Sequence, residues 1–165
     1  MSKTSTAQQL LTVALQDLLD AERAWCERGA KLAEDAGPKV AAFLDDEVRR
    51  STAQAERIEH LLDALGEAHK GDSNIWLRAI LDDAARDIRS TVAGPLRNTA
   101  LIGAFRKGKQ AERVSYETAM ALAARLGRSE DSKMLTRSRN EEEAADAELA
   151  RLLGETVDAA VAAEQ

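Results

Sequence analysis

Several glutamates in this chain stand where a helix would be expected to carry oil. Leu11, Leu15, Leu18, Trp25 and Leu32 share one face of a helix with about 3.6 residues per turn, and Glu22 lies on that face between Leu18 and Trp25. Glu112 falls in the same way among Leu101, Phe105, Gly108, Ala119 and Leu122, and Glu47 among Val40, Leu44, Ser51 and Ile58. Leu135, Ser138, Leu149 and Leu153 surround Glu142, with Asp146 one turn further on. Each long helical stretch thus carries a carboxylate on its apolar stripe.

An isolated ionised carboxylate is too costly to bury, so a group of them needs protons, cationic side chains or metal ions. Di-iron and di-manganese bundles meet that need with one Glu from each of two helices and Glu-x-x-His from each of the other two. No Glu-x-x-His occurs here. His60 falls on the side of its helix away from Ile58 and His69 falls in a polar stretch, so neither is expected to be a ligand. Lys109 stands three residues before Glu112, and Arg139 three before Glu142, close enough on a helix to pair with them.

The elements that must hold these groups are read from the punctuation. Ser5 or Thr6 can cap a first helix running to about Asp35, and Pro38 opens a second that stops at Gly66. Gly66 to Asn74 is a polar loop, followed by a shorter helix from Ile75 to Thr91 with Trp76, Ile80, Ala84 and Ile88 on one side. A helix from Leu96 to Leu126 ends at Gly127, and Ser129, Glu130 and Asp131 start a last one that passes Leu153, with Gly154 as a point of fraying or bending.

Tight turns join the first pair and the last pair of long helices, and the short helix lies in the crossover between them. The expected fold is an all-α, ferritin-like four-helix bundle with a fifth short helix in that crossover, a single domain over 1–165 with its core at about 6–155. A simple up-down bundle is the competing topology. At about 1.5 Å per residue, Glu22 is as far from the first turn as Ser51, and Glu112 as far from the Gly127 turn as Glu142. Glu47 comes about one turn nearer the first bend.

Charge and composition exclude other classes. With 29 acidic against 23 basic side chains and no basic stripe, a nucleic-acid partner is not expected. Arg49 and Arg50 beside Asp45, Asp46 and Glu47 read as a mixed, solvated face. No run is long and apolar enough to span a membrane, the start does not read as a leader, and the single Cys26, read as a small buried filler, fits a reducing, cytoplasmic setting. No nucleophile stands beside a base, so enzymatic activity is left open and no catalytic residue is named.

The segments LQDLLDAERAW, ALIGAFRKGKQAERVSYETA and NEEEAADAEL resemble those of the YciF-like branch of the ferritin-like superfamily, over most of residues 8 to 155. The resemblance implies a homodimeric, bacterial, stress-associated bundle with a di-iron site. Asp17, Ala21 and Glu22 match its first-helix motif, and Glu142 and Asp146 its acidic last-helix motif. Its third long helix usually reads Glu-His-Tyr-Glu with a Tyr one turn on, where this chain has Lys109, Gln110, Ala111 and Glu112, with Tyr116 kept. The second helix departs too, with Glu47, Arg49, Arg50, Ser51, Thr52 and Gln54 where the family carries a His and further acids.

The favoured reading is a dimeric, stress-associated bundle without a cofactor, its metal site decayed into a layer of salt bridges. The alternative is an iron or manganese protein using Glu22, Glu112, Glu142 and Asp146, with Glu47, and the third reading is a helical adaptor. Leu10-Leu11, Leu18-Leu19 and the apolar side of the short helix are the candidate dimer faces; the sequence names no other protein partner.

Overall fold

The computed structural model describes residues 3–164, so the outermost residues of the expected domain, and of the start read for a leader, lie outside it. Five helices account for most of the described chain: α1 (Ala7–Glu34), α2 (Pro38–Leu65), α3 (Ile75–Ser90), α4 (Pro95–Arg125) and α5 (Ser129–Ala162). No strand forms among the described residues.

The ends follow local chemistry. The Thr6 hydroxyl accepts the Gln9 N–H at 3.1 Å and caps α1, and Pro38 occupies the first turn of α2. Gly66 (φ 71°) and Gly127 (φ 75°) take the left-handed conformation after α2 and α4, where a side chain would be strained. Asn74 caps α3 by accepting the Leu77 N–H at 2.8 Å. α5 does not fray at Gly154 but runs on through it to Ala162. Leu152 and Ala160 are buried on either side of it, and Thr156 meets Thr99 of α4 at 3.2 Å.

The hairpins α1–α2 and α4–α5 are the main packed pairs, with α1 lying on α4 and α2 on α5. The crossover carries α3 over α4 and α1, so the four long helices and the short one have ferritin-like connectivity rather than a simple up-down course. The buried face of α3 is centred on Leu77, Leu81 and Ala84; Trp76, Ile80 and Ile88 are only partly covered. Trp76 is turned aside because its indole N–H donates to Asp17 at 3.0 Å. Of the candidate dimer faces, Leu11, Leu18 and Leu19 are core, while Leu10 remains 45% exposed. Cys26 is half-buried rather than core, its thiol 3.4 Å from the Thr52 hydroxyl.

Two apolar clusters make up the core. One joins Trp25, Leu32, Phe43, Leu44, Leu77, Leu101, Phe105 and Leu149, and the other Leu11, Leu15, Leu18, Ile58, Leu62, Tyr116 and Leu135. The polar residues Glu47, Ser51 and Gln54 separate the two on α2, Lys109 and Glu112 on α4, and Ser138 and Glu142 on α5. A polar layer therefore crosses the bundle between two oily halves.

Candidate functional site

Glu22, Glu47, Glu112 and Glu142, one from each long helix, are all at 0% exposure and converge in this layer. Lys109, also at 0%, extends its ammonium into their midst. Its Nζ lies 2.7 Å from Glu112 Oε2 and 2.7 Å from Glu142 Oε2, and it donates to Glu47 Oε1. Oxygens of Glu47, Glu112 and Glu142 lie within 4.8 Å of one another. The indole of Trp25 closes one side, its ring centroid 4.8 Å from the ammonium. Gly108 permits that approach, since a Cβ there would stand 3.2 Å from Trp25 and 3.1 Å from Leu77.

Each carboxylate has further partners. Trp25 Nε1 donates to Glu112 Oε1 at 2.9 Å, and Tyr116 donates to Glu22 Oε1 at 2.6 Å. These two contacts run in opposite directions along α1 and α4 and fix their antiparallel register. Gln54 Nε2 donates to Glu142 Oε1 at 2.8 Å, and the Ser51 hydroxyl to Glu47 Oε1 at 3.3 Å. Arg50 pairs with Glu47 Oε2 and packs over the Phe43 ring, 5.8 Å from its centroid; its 21% exposure makes it the layer's link to solvent. Glu22 Oε2 is buried with no hydrogen-bond partner.

Two expected members stand apart. Asp146 is not in the layer: four residues carry it about 40° further round the helix than Glu142. It faces the α4–α5 seam, where Arg106 at 2.8 Å and Gln110 at 2.7 Å bind it. Arg139 does not pair with Glu142; it turns outward to Glu117 at 3.1 Å and to Glu143. The second cation is instead Arg50, which the sequence reading had placed on a solvated face with Arg49. Its position three residues after Glu47 was the available signal. His60 is exposed, and His69 pairs with Asp63 at 2.7 Å, away from the layer.

Burial and repulsion decide the charges. Burial, reinforced by Glu142, pushes Glu22 up to about 8. Glu112 is also raised well above the usual range, mainly by burial, with Glu142 and Glu22 adding to it against the pull of Lys109. Burial works to lower Lys109, but Glu112, Glu142 and Glu47 outweigh it and hold the amine protonated well above the ordinary lysine range. Lys109 and Arg50 are the two cationic side chains set against the carboxylates of the layer. Tyr116 is raised as well, first by burial and then by Glu22, and stays a neutral donor.

The donor set does not fit a pair of metal ions. The space between the three converging carboxylates holds an ammonium, no histidine reaches the layer, and Asp146 is engaged elsewhere. What the arrangement can do chemically is hold a fixed cation among carboxylates away from water.

The comparisons with known proteins accord with the helix order and length. Protein YciF of Escherichia coli (strain K12) is 28% identical over 149 residues, covering 89% of this chain and 90% of that protein. The crystal structure of the E. coli stress protein YciF superposes with a TM-score of 0.89 at 27% identity, covering 94% of this chain and 99% of that one. YcfI from Rhodopseudomonas palustris shares the fold, with a TM-score of 0.84 at 23% identity over 88% of this chain and 94% of that chain. The model of the family described as a domain of unknown function, DUF892, matches residues 6–162, and the protein belongs to that family.

Proposed function

We propose that this protein is a stress-associated bundle that works without a metal cofactor, as a homodimer in the bacterial cytoplasm. The observation that carries the reading is the Lys109 ammonium, 2.7 Å from both Glu112 and Glu142 and also paired with Glu47, in the only position where these three carboxylates converge. A fixed ammonium there offsets part of the carboxylate charge and repels free cations. The stress association rests on the likeness to E. coli YciF. The cytoplasmic setting accords with the lone Cys26, and no helix of the described residues is long and apolar enough to cross a membrane. The dimer is supported by the groove between the start of α1 and the end of α4, where Leu10, Val114 and Leu126 are exposed.

Elemental analysis of the chain purified without chelator tests the central point. Iron and manganese are expected well below one atom per chain. About two atoms per chain would overturn the proposal in favour of a metal-handling bundle. Analytical ultracentrifugation tests the dimer, with a single species of twice the chain mass expected.

A further inference from the structure

Helices α1 and α3 run in the same direction, since Asp17 meets Asn74, Asp20 meets Arg78 and Arg28 meets Asp82 in rising order. Past the Arg28–Asp82 pair no hydrogen bond or ion pair joins the two helices among the described residues, and a cavity of about 330 Å³ opens between their last turns. Its floor is aliphatic: Leu32 is core, and Ala85 and Ile88 lie half-buried. At the far end Arg97 of α4 ties the helices together, pairing with Asp35 at 3.8 Å and donating to the Thr91 carbonyl at 2.9 Å. Of the charged groups around the cavity, Glu27 is engaged by Arg78 at 3.1 Å, Asp35 by Arg97, and Arg28 by Asp82 at 2.6 Å. Lys31 and Arg89 have no carboxylate partner among the described residues. Each sits in the last turn of its helix, where the helix dipole favours a cation but supplies no anion to hold its head group. An oily floor therefore lies beneath two uncompensated positive charges.

We propose that this cavity binds a small amphipathic monocarboxylate, a medium-chain fatty acid anion, with its carboxylate between Lys31 and Arg89 and its chain along Leu32, Ala85 and Ile88. The volume is at the small end of ligand pockets, which run to roughly 300–1,000 Å³, and so suits a short aliphatic chain rather than a partner helix. No aromatic ring lines the cavity, so a flat aromatic acid would gain no stacking there. Glu27 and Asp35 are already paired, which leaves no free carboxylate on the wall to attract a cationic ligand. The cavity is separate from the buried layer and from the groove at the start of α1, so neither the metal-free nor the dimeric reading depends on it.

The test is calorimetric titration of the full chain with sodium octanoate and with octylammonium, which carries the same chain and the opposite charge, together with amide shift mapping by nuclear magnetic resonance. Octanoate should bind wild type saturably at one equivalent. Lys31→Gln/Arg89→Gln should weaken that binding by roughly tenfold, as the loss of two partly exposed ion pairs would. Both side chains are exposed, so the double variant should keep the wild-type Tm. Octylammonium should bind wild type more weakly than octanoate by about the same factor. Octanoate-induced shifts should centre on Lys31, Leu32, Ala85, Ile88 and Arg89. Absence of saturable octanoate binding, unchanged affinity in the double variant, equal binding of the two probes, or shifts centred on Leu10 and Leu126 would each overturn the site. Should the double variant prove destabilised, the wild-type shift map and the comparison of the two probes decide without it.

Discussion

The ammonium of Lys109 on α4 lies 2.7 Å from Glu142 Oε2 on α5, with both residues at 0% exposure. This ion pair is the centre of the layer, and its partners cannot be rescued by water. In chelated buffer, Lys109→Met should therefore cost about 3–5 kcal/mol, the usual consequence of leaving buried charge uncompensated. Urea unfolding measures it; a loss below about 1 kcal/mol would mean that the layer neutralises itself by protonation alone.

Glu112 separates charge from shape. Lys109 keeps Glu47 and Glu142 when Glu112 is removed, and the Glu112 carboxyl is pushed towards its neutral form mainly by burial. Glu112→Gln, which keeps the volume and an acceptor for Trp25, should change stability by less than about 1 kcal/mol. Glu112→Ala leaves a cavity and an orphaned indole N–H, and should cost about 2–4 kcal/mol. A stabilised Ala variant would show instead that carboxylate repulsion dominates the layer.

Tyr116→Phe removes the hydrogen bond to Glu22 and nothing else of size. The expected cost is about 1–3 kcal/mol. It should be larger at alkaline than at acid pH, because the hydroxyl favours the ionised form of Glu22. A pH-independent cost would indicate that Glu22 does not titrate in the folded state.

The pH dependence has a defined sign. Glu22 titrates near 8 in the folded protein against 4.5 ordinarily, so between these values the folded state keeps a proton that the unfolded chain has released. That contribution is complete below the unfolded value and is lost as pH rises towards 8, at up to about 1.4 kcal/mol per pH unit. Glu112 acts in the same direction. Asp20, held down by Arg78, and Asp146, held down by Arg106, act oppositely, as does Glu141, where Arg57 outweighs burial; their stabilisation disappears as pH falls through the acid range. Maximum stability is expected at about pH 5 rather than pH 8. Urea midpoints at pH 5, 7 and 9 should decline in that order, and Glu22→Gln should flatten the slope.

Asp146 and Glu142 lie one turn apart on α5 and should behave differently. Asp146 is partly exposed and bound at the seam, so Asp146→Ala should cost no more than about 1 kcal/mol. Glu142→Ala strips the central ammonium of one of its three partners and leaves the Gln54 amide without that acceptor, and should cost about 3–5 kcal/mol. Equal effects would place Asp146 inside the layer.

The helices, their order and the carboxylate layer were legible without coordinates because they depend on local rules. Gly66, Gly127 and Pro38 end or open helices through their own backbone preferences, and a 3.6-residue period places Glu22, Glu47, Glu112 and Glu142 on inward stripes whatever the neighbours are. Counting from the turns placed three of these at one level, since helical rise is nearly constant.

What each polar group touches was decided only by the tertiary structure. Lys109 and Arg139 look equivalent in sequence, each three residues before a buried glutamate. Yet Lys109 enters the layer and Arg139 meets Glu117 and Glu143 at the surface. Arg50, read as solvated, reaches Glu47, while Asp146, read as a ligand, belongs to Arg106. Periodicity gives a residue's direction from its own helix axis, but long side chains cover several ångströms beyond it. Their endpoint is set by which helix packs opposite, at what rotation, and by the need to bring a cation to carboxylates that water cannot reach.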